Sequence, residues 1–185
     1  MRSLLRFVAL VAFVAAALPT ARADESGKSE EGGKPIQLSL FDPVQIFPRT
    51  AGISGFRLNI IYSQNAFMNG FDLGFIVNEI TGNVAGVEWG LVNLVGGDFG
   101  GWQYGFWNQV HGDFTGWQQS FVTITDKKFT GLQTGVYNTA GDAAGLQLGL
   151  VNHAVTMNGL QLGIVNIIEK GGMLPVFVIF NASFR

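Results

Sequence analysis

The unit Gly145-Leu146-Gln147-Leu148-Gly149-Leu150-Val151-Asn152 recurs almost unchanged as Gly159-Leu160-Gln161-Leu162-Gly163-Ile164-Val165-Asn166, and in weaker form back to Gly55. Units open at Gly55, Gly70, Gly86, Gly101, Gly116, Gly131, Gly145 and Gly159, in steps of 15, 16, 15, 15, 15, 14 and 14 residues. A further unit, 174–181, keeps the spacing and the final Asn but lacks both glycines. A fixed period of this kind restricts the fold more than composition does. One unit cannot bury its own apolar face and must stack on its neighbours.

The columns of the repeat alternate. Positions two, four and six are apolar in most units (Trp102, Tyr104 and Phe106 in one, Leu146, Leu148 and Leu150 in another). Position three is Arg57, Asp72 and Glu88, then Gln103, Gln118, Gln133, Gln147 and Gln161; position five is mostly Gly. Period two marks a strand with one apolar and one polar face. The expectation is that the apolar columns fill the interior and that the Gln column forms an amide ladder on the surface. Each strand ends at Asn78, Asn93, Asn108, Asn138, Asn152, Asn166 or Asn181, a column interrupted by Thr123. Asn suits a stacked corner, where its amide bonds to the next coil. A weaker alternation behind each strand, at Val84, Phe99, Phe114 and Ala143, predicts a second short strand.

Two architectures fit an all-β repeat chain. One is a capped parallel β-solenoid of about nine coils of 14–16 residues. The other is a small antiparallel outer-membrane β-barrel, for which the leading strand plus nine units gives an even ten and the alternation at Val176, Val178, Phe180, Ala182 and Phe184 gives further support. The solenoid is preferred for three reasons. The connections are uniform where a barrel alternates short and long turns. Gln119 and Thr134 would sit unpaired on the lipid face, but can meet on neighbouring coils of a solenoid. The alternation also spans about seven residues, short of the roughly 9–11 a spanning strand needs.

The flanks speak to compartment. Arg2 and Arg6, the apolar run from Phe7 to Leu18 and the small-x-small site Ala21-Arg22-Ala23 read as a secretory signal peptide, 1–23. Segment 24–34 (DESGKSEEGGK) is polar and aperiodic and reads as a disordered leader. In 35–54, Ile36, Leu38 and Leu40 alternate with Gln37 and Ser39, which predicts a capping strand ahead of the repeat domain, 55–185. The chain has no Cys, so neither disulfides nor a lipidated cysteine can hold it. Charged residues are 13% against about 25% in an average soluble domain. The net charge of −2 gives nucleic acid no footing.

The repeat resembles the bacterial exported surface-repeat family built from Gly-Leu-Gln-x-Gly-Leu-Val-Asn units, over residues 55–181 and most closely at the units opening at Gly145 and Gly159. Residues 116–130 depart from it, with Ser120 for Gly and Thr123 for Asn. The resemblance implies an exported, envelope-associated protein and transfers no catalytic residue.

Chemistry is sparse. His111 and His153 fall at different repeat positions with no third nitrogen or thiolate ligand, and no Ser sits in a nucleophile turn. Asn83, Asp98, Asp113, Lys128 and Asp142 share one repeat position. Stacked Asp98 and Asp113 would repel unless a cation such as Ca²⁺ bridges them or Lys128 offsets them; a solvated ladder is the preferred reading, and no cofactor is expected. Trp107, on the face of Gln103 rather than that of Trp102, is the candidate exposed contact. The expectation is a non-enzymatic structural or interaction protein of the bacterial envelope, binding an envelope or surface partner, in the periplasm, outer membrane or at the cell surface.

Overall fold

The computed structural model describes residues 32–184. The proposed signal peptide and leader residues 24–31 lie outside the described residues. The strands are β1 (Lys34–Phe41), β2 (Val44–Gln45), β3 (Ile53–Asn65), β4 (Met68–Gly74), β5 (Val77–Ile80), β6 (Val84–Trp89) and β7 (Val92–Val95). They continue as β8 (Phe99–Tyr104), β9 (Trp107–Val110), β10 (Phe114–Gln119), β11 (Val122–Thr134), β12 (Tyr137–Leu148), β13 (Val151–Lys170) and β14 (Val176–Ser183).

Each coil contributes a rung to two facing sheets. The first sheet stacks β1, β3, β4, β6, β8, β10 and then parts of β11, β12 and β13, all parallel and with like repeat positions in register, as in Gly116 beside Gly101 and Trp117 beside Trp102. The second stacks β3, β5, β7, β9, β11, β12 and β13 the same way. This is a parallel β-solenoid. It excludes the antiparallel barrel, because the only antiparallel pairings among the described residues are the terminal ones, β1 with β2 and β13 with β14.

Inside and outside are the reverse of the sequence expectation. Gln103, Gln118, Gln133, Gln147 and Gln161 are wholly buried, while Phe56, Phe71, Trp102 and Trp117 face outward. The physical reason is visible in one coil. Phe99 and Gln103 point inward from β8, and Asn108 and Val110 point inward from β9. The weaker alternation at Phe99 is therefore no separate strand. It is the first half of the same strand, and it supplies the apolar part of the core: Met68, Val84, Phe99, Phe114 and Phe129 packed with Ile80, Val95 and Val110. Phe99, Phe114 and Phe129 stack at centroid distances of 5.0 and 5.5 Å.

The other half of the interior is amide. Gln118 Nε2 donates to Gln103 Oε1 at 2.9 Å, Gln133 to Gln118 at 2.9 Å, Gln147 to Gln133 at 2.6 Å and Gln161 to Gln147 at 2.7 Å. The Asn ladder runs the other way: Asn78 Nδ2 donates to Asn93 Oδ1 at 3.0 Å, and Asn93, Asn138 and Asn152 each donate to the next Asn at 2.8 Å. A buried amide is tolerated because it is paired, and each such bond contributes about 1 kcal/mol net.

Two glycines in most coils make this packing possible. Gly101 has φ 135°, and a Cβ there would lie 1.9 Å from the Gly86 carbonyl oxygen. Gly105 turns the chain between sheets, and a Cβ there would meet Gly90 O at 2.5 Å and Asn108 Oδ1 at 2.6 Å. The corner at Gly105 and Phe106 also breaks the strand that sequence periodicity carried through to Asn108.

The ends are closed differently. β1 extends the Gln column by one rung, with Gln37 buried beside Arg57. Lys34 already belongs to this strand, its N–H donating to Gly52 O at 2.8 Å, so order starts within the expected leader. The stack has the expected nine parallel rungs, but the ninth is β1 and not unit 174–181: β14 turns back antiparallel on β13, pairing Asn181 with Gln161.

Candidate interaction surface

With the polar columns turned inward, the outer surface of the first sheet is a lattice of apolar side chains. Phe56 stacks on Phe71 at 5.9 Å, and Trp102 on Trp117 at 5.6 Å. Trp89 meets Tyr104 edge-on at 5.7 Å, and Phe106 stacks on Phe121 at 4.9 Å. Trp89 is 53%, Trp102 41% and Trp117 40% exposed. The cap extends this face through Ile36, Leu38 and Leu40, also exposed.

At the corner between sheets the lattice folds into a groove of about 820 Å³. Position four (Leu73, Trp89, Tyr104) forms one wall, position six (Phe75, Phe106, Phe121) the other, and position five (Gly74, Gly90, Gly105, Ser120, Gly135) the floor. The floor is shallow because the Asn ladder beneath it leaves no space for a side chain. Gln119 and Thr134 are neighbours in register, as expected, but on the outside, where Thr134 Oγ1 accepts from Trp117 Nε1 at 3.1 Å.

Trp107 is not the exposed contact expected. The corner shifts the phase of the alternation, so Gln103 points in and Trp107 lies on the second sheet, half-buried with Val77, Val92 and Phe106. Its indole Nε1 is buried without a partner.

The titratable groups serve the backbone and the ladders. Arg57 and Asp72, both wholly buried, form a two-pronged ion pair at 2.8 and 2.5 Å, and Arg57 also donates to Asn65 Oδ1 and Glu79 O. Next in the column, Glu88 accepts from Gln103 Nε2 at 2.8 Å while its Oε1 has no donor. Burial first, and then the neighbouring Asp72 carboxylate, push the Glu88 carboxyl up to about 8 against the opposing effects of Gln103 and Arg57. A proton on Glu88 thus takes the place of the amide N–H a Gln would offer Asp72. Burial, followed by the 2.6 Å hydrogen bond to Glu79, pushes the Tyr62 phenol well up.

The acidic column forms as read, and one oxygen of each of its carboxylates accepts a hydrogen bond from the next coil. Asp113 N–H donates to Asp98 Oδ1 at 2.8 Å and Lys128 N–H to Asp113 Oδ1 at 3.1 Å, so each carboxylate brackets the next coil. Among the described residues no group of three or more His, Asp or Glu could hold a metal ion. His153 Nε2 pairs with Glu169 at 2.9 Å and His111 Nδ1 with Asp126 at 2.5 Å, far apart in the coil stack.

The signal sequence reasoning missed was the uniformity of the polar columns. Gln recurs unchanged in five units, whereas position two accepts Phe, Val, Trp and Leu. Constancy marks an interior that admits one shape, and variety marks an outer wall. No family model, curated protein or solved structure matches the chain.

Proposed function

We propose that this chain is a non-enzymatic structural or interaction protein of the bacterial cell envelope, acting through the outer face of its solenoid. The observation that carries this reading is the outward presentation of Trp89, Trp102 and Trp117 on rungs locked from within by amide ladders. Such a face is rigid and periodic, and binds by shape over many coils rather than at one point. Asp72, Asp98 and Asp113 accept structural hydrogen bonds and His153 pairs with Glu169, which supports a non-catalytic role. The signal-peptide pattern of segment 1–23 supports export of this face to the envelope. Trp107 borders it from the neighbouring sheet.

The test is fractionation of bacteria expressing the whole chain. Wild type is expected in the envelope fraction, and the double variant Trp102→Ser/Trp117→Ser in the soluble exported fraction with an unchanged circular dichroism spectrum. An identical distribution of both proteins would refute the role of this face.

A further inference from the structure

We propose that the outer face is covered by a second copy of the chain, in an isologous two-fold dimer that seats the aromatic ridge of each copy in the groove of the other. The proposal rests on the outer face being the working surface, and names its partner.

Area is the first argument. About a dozen large apolar side chains on this face and its corner are 37–63% exposed. At about 150–250 Å² for an aromatic side chain, they present on the order of 1,000 Å² per copy. A standard interface buries about 800 Å² per partner, and monomers rarely leave more than a few hundred Å² of contiguous apolar surface in water. The face is sufficient for a stable dimer and too large to be left bare.

Shape is the second. Ridge and groove lie side by side and share the repeat, so each runs along the stack. Phe75, Phe106 and Phe121 stand next to Gly74, Gly105 and Ser120. A two-fold axis parallel to the stack and midway between ridge and floor lays each ridge over the partner's floor, coil against like coil, and a two-fold contact needs only this self-complementarity. The groove is shallow, and its floor cannot be filled by this chain itself.

Charge argues against a lipid surface. The charged edge carries Asp98, Asp113, Asp126 and Asp142 against Lys127 and Lys128, so it offers no cationic belt to anionic headgroups. Position four of the groove turns polar at Gln119, whose amide acyl chains cannot satisfy but a facing copy can.

The experiment is mass measurement of the mature chain by light scattering, with cysteine cross-linking. Wild type is expected at twice the chain mass, and Phe75→Lys/Trp89→Lys at the single mass with an unchanged circular dichroism spectrum. The chain has no native Cys, so Phe75→Cys is expected to cross-link with a short bismaleimide, and Asp98→Cys, on the far edge, is not. These last two variants keep the test open should the lysine variant fail to fold. A monomeric wild type, an open-ended polymer, equal cross-linking from both edges, or monomers bound to phosphatidylethanolamine/phosphatidylglycerol vesicles would each overturn the dimer. A wild-type monomer whose envelope retention still needs Trp102 and Trp117 would sink the dimer alone; a monomer indifferent to those residues would sink the proposed function with it.

Discussion

Glu88→Gln should remove most of the pH dependence of stability. Glu88 lies between Asp72 and Gln103 in a column that is otherwise amide from Gln103 onward, and burial raises its carboxyl to about 8 from the ordinary 4.5. Between those values the folded chain holds one proton more than the unfolded chain. Stability is therefore greatest below the unfolded value and falls as pH rises through the folded one. The slope approaches about 1.4 kcal/mol per pH unit, for a loss of up to about 5 kcal/mol between pH 4.5 and pH 8. Gln at 88 accepts from Gln103 as Glu does and offers Asp72 an N–H without a titrating proton. Thermal unfolding followed by circular dichroism from pH 5 to pH 8 is the assay. Wild type should lose stability across this range, and the difference from the variant cancels every other titrating group. A flat wild-type profile, or an equal slope in both proteins, would refute the shared-proton account.

Gln118→Leu should cost about 1–3 kcal/mol for each buried group it orphans, because Gln103 Oε1 loses its donor while Gln133 Nε2 and Thr125 Oγ1 lose an acceptor. Denaturant unfolding measures this, and a cost near zero would mean the ladder is not structural. Gly101→Ala should cost more than about 3 kcal/mol, since φ 135° strains any side chain and the Cβ meets the Gly86 carbonyl. Asp113→Ala should cost no more than about 1 kcal/mol for its exposed bond to Lys128 N–H. Neither it nor wild type should change melting temperature between calcium and chelator; a calcium-dependent rise in wild type alone would restore a cation to this column. Ile179→Gly should stabilise the terminal hairpin by about 1 kcal/mol in a melting experiment, because Ile179 is held at φ 72°.

The sequence by itself determined the coil. Steps of 14–16 residues set the stacking, and uniform connections favoured parallel rungs over a barrel. The Asn column from Asn78 to Asn166 was legible as a ladder, and so was the adjacency of Asp98 with Asp113 and of Gln119 with Thr134. What periodicity cannot express is which side of a strand faces the partner sheet. Alternation is symmetric under exchange of its faces, and the usual assumption that apolar residues go inside chose the wrong one for Trp102 and Gln103.

Tertiary structure decided that question through two contacts remote from any one unit. Phe99 packs across the coil with Val110 and its neighbours, and that apolar strip closes one half of the interior. Gln103 meets Gln118 one coil on, and a stack of like rungs gives each Gln from Gln103 to Gln161 an amide partner on a neighbouring coil. The corner at Gly105 then turns Trp107 onto the second sheet and opens the groove beneath Phe106. An amide column is a poor core for one strand and a sound one for a stack, because each coil supplies the donor that the previous one lacks. The aromatic columns, relieved of filling the core, are left to face outward.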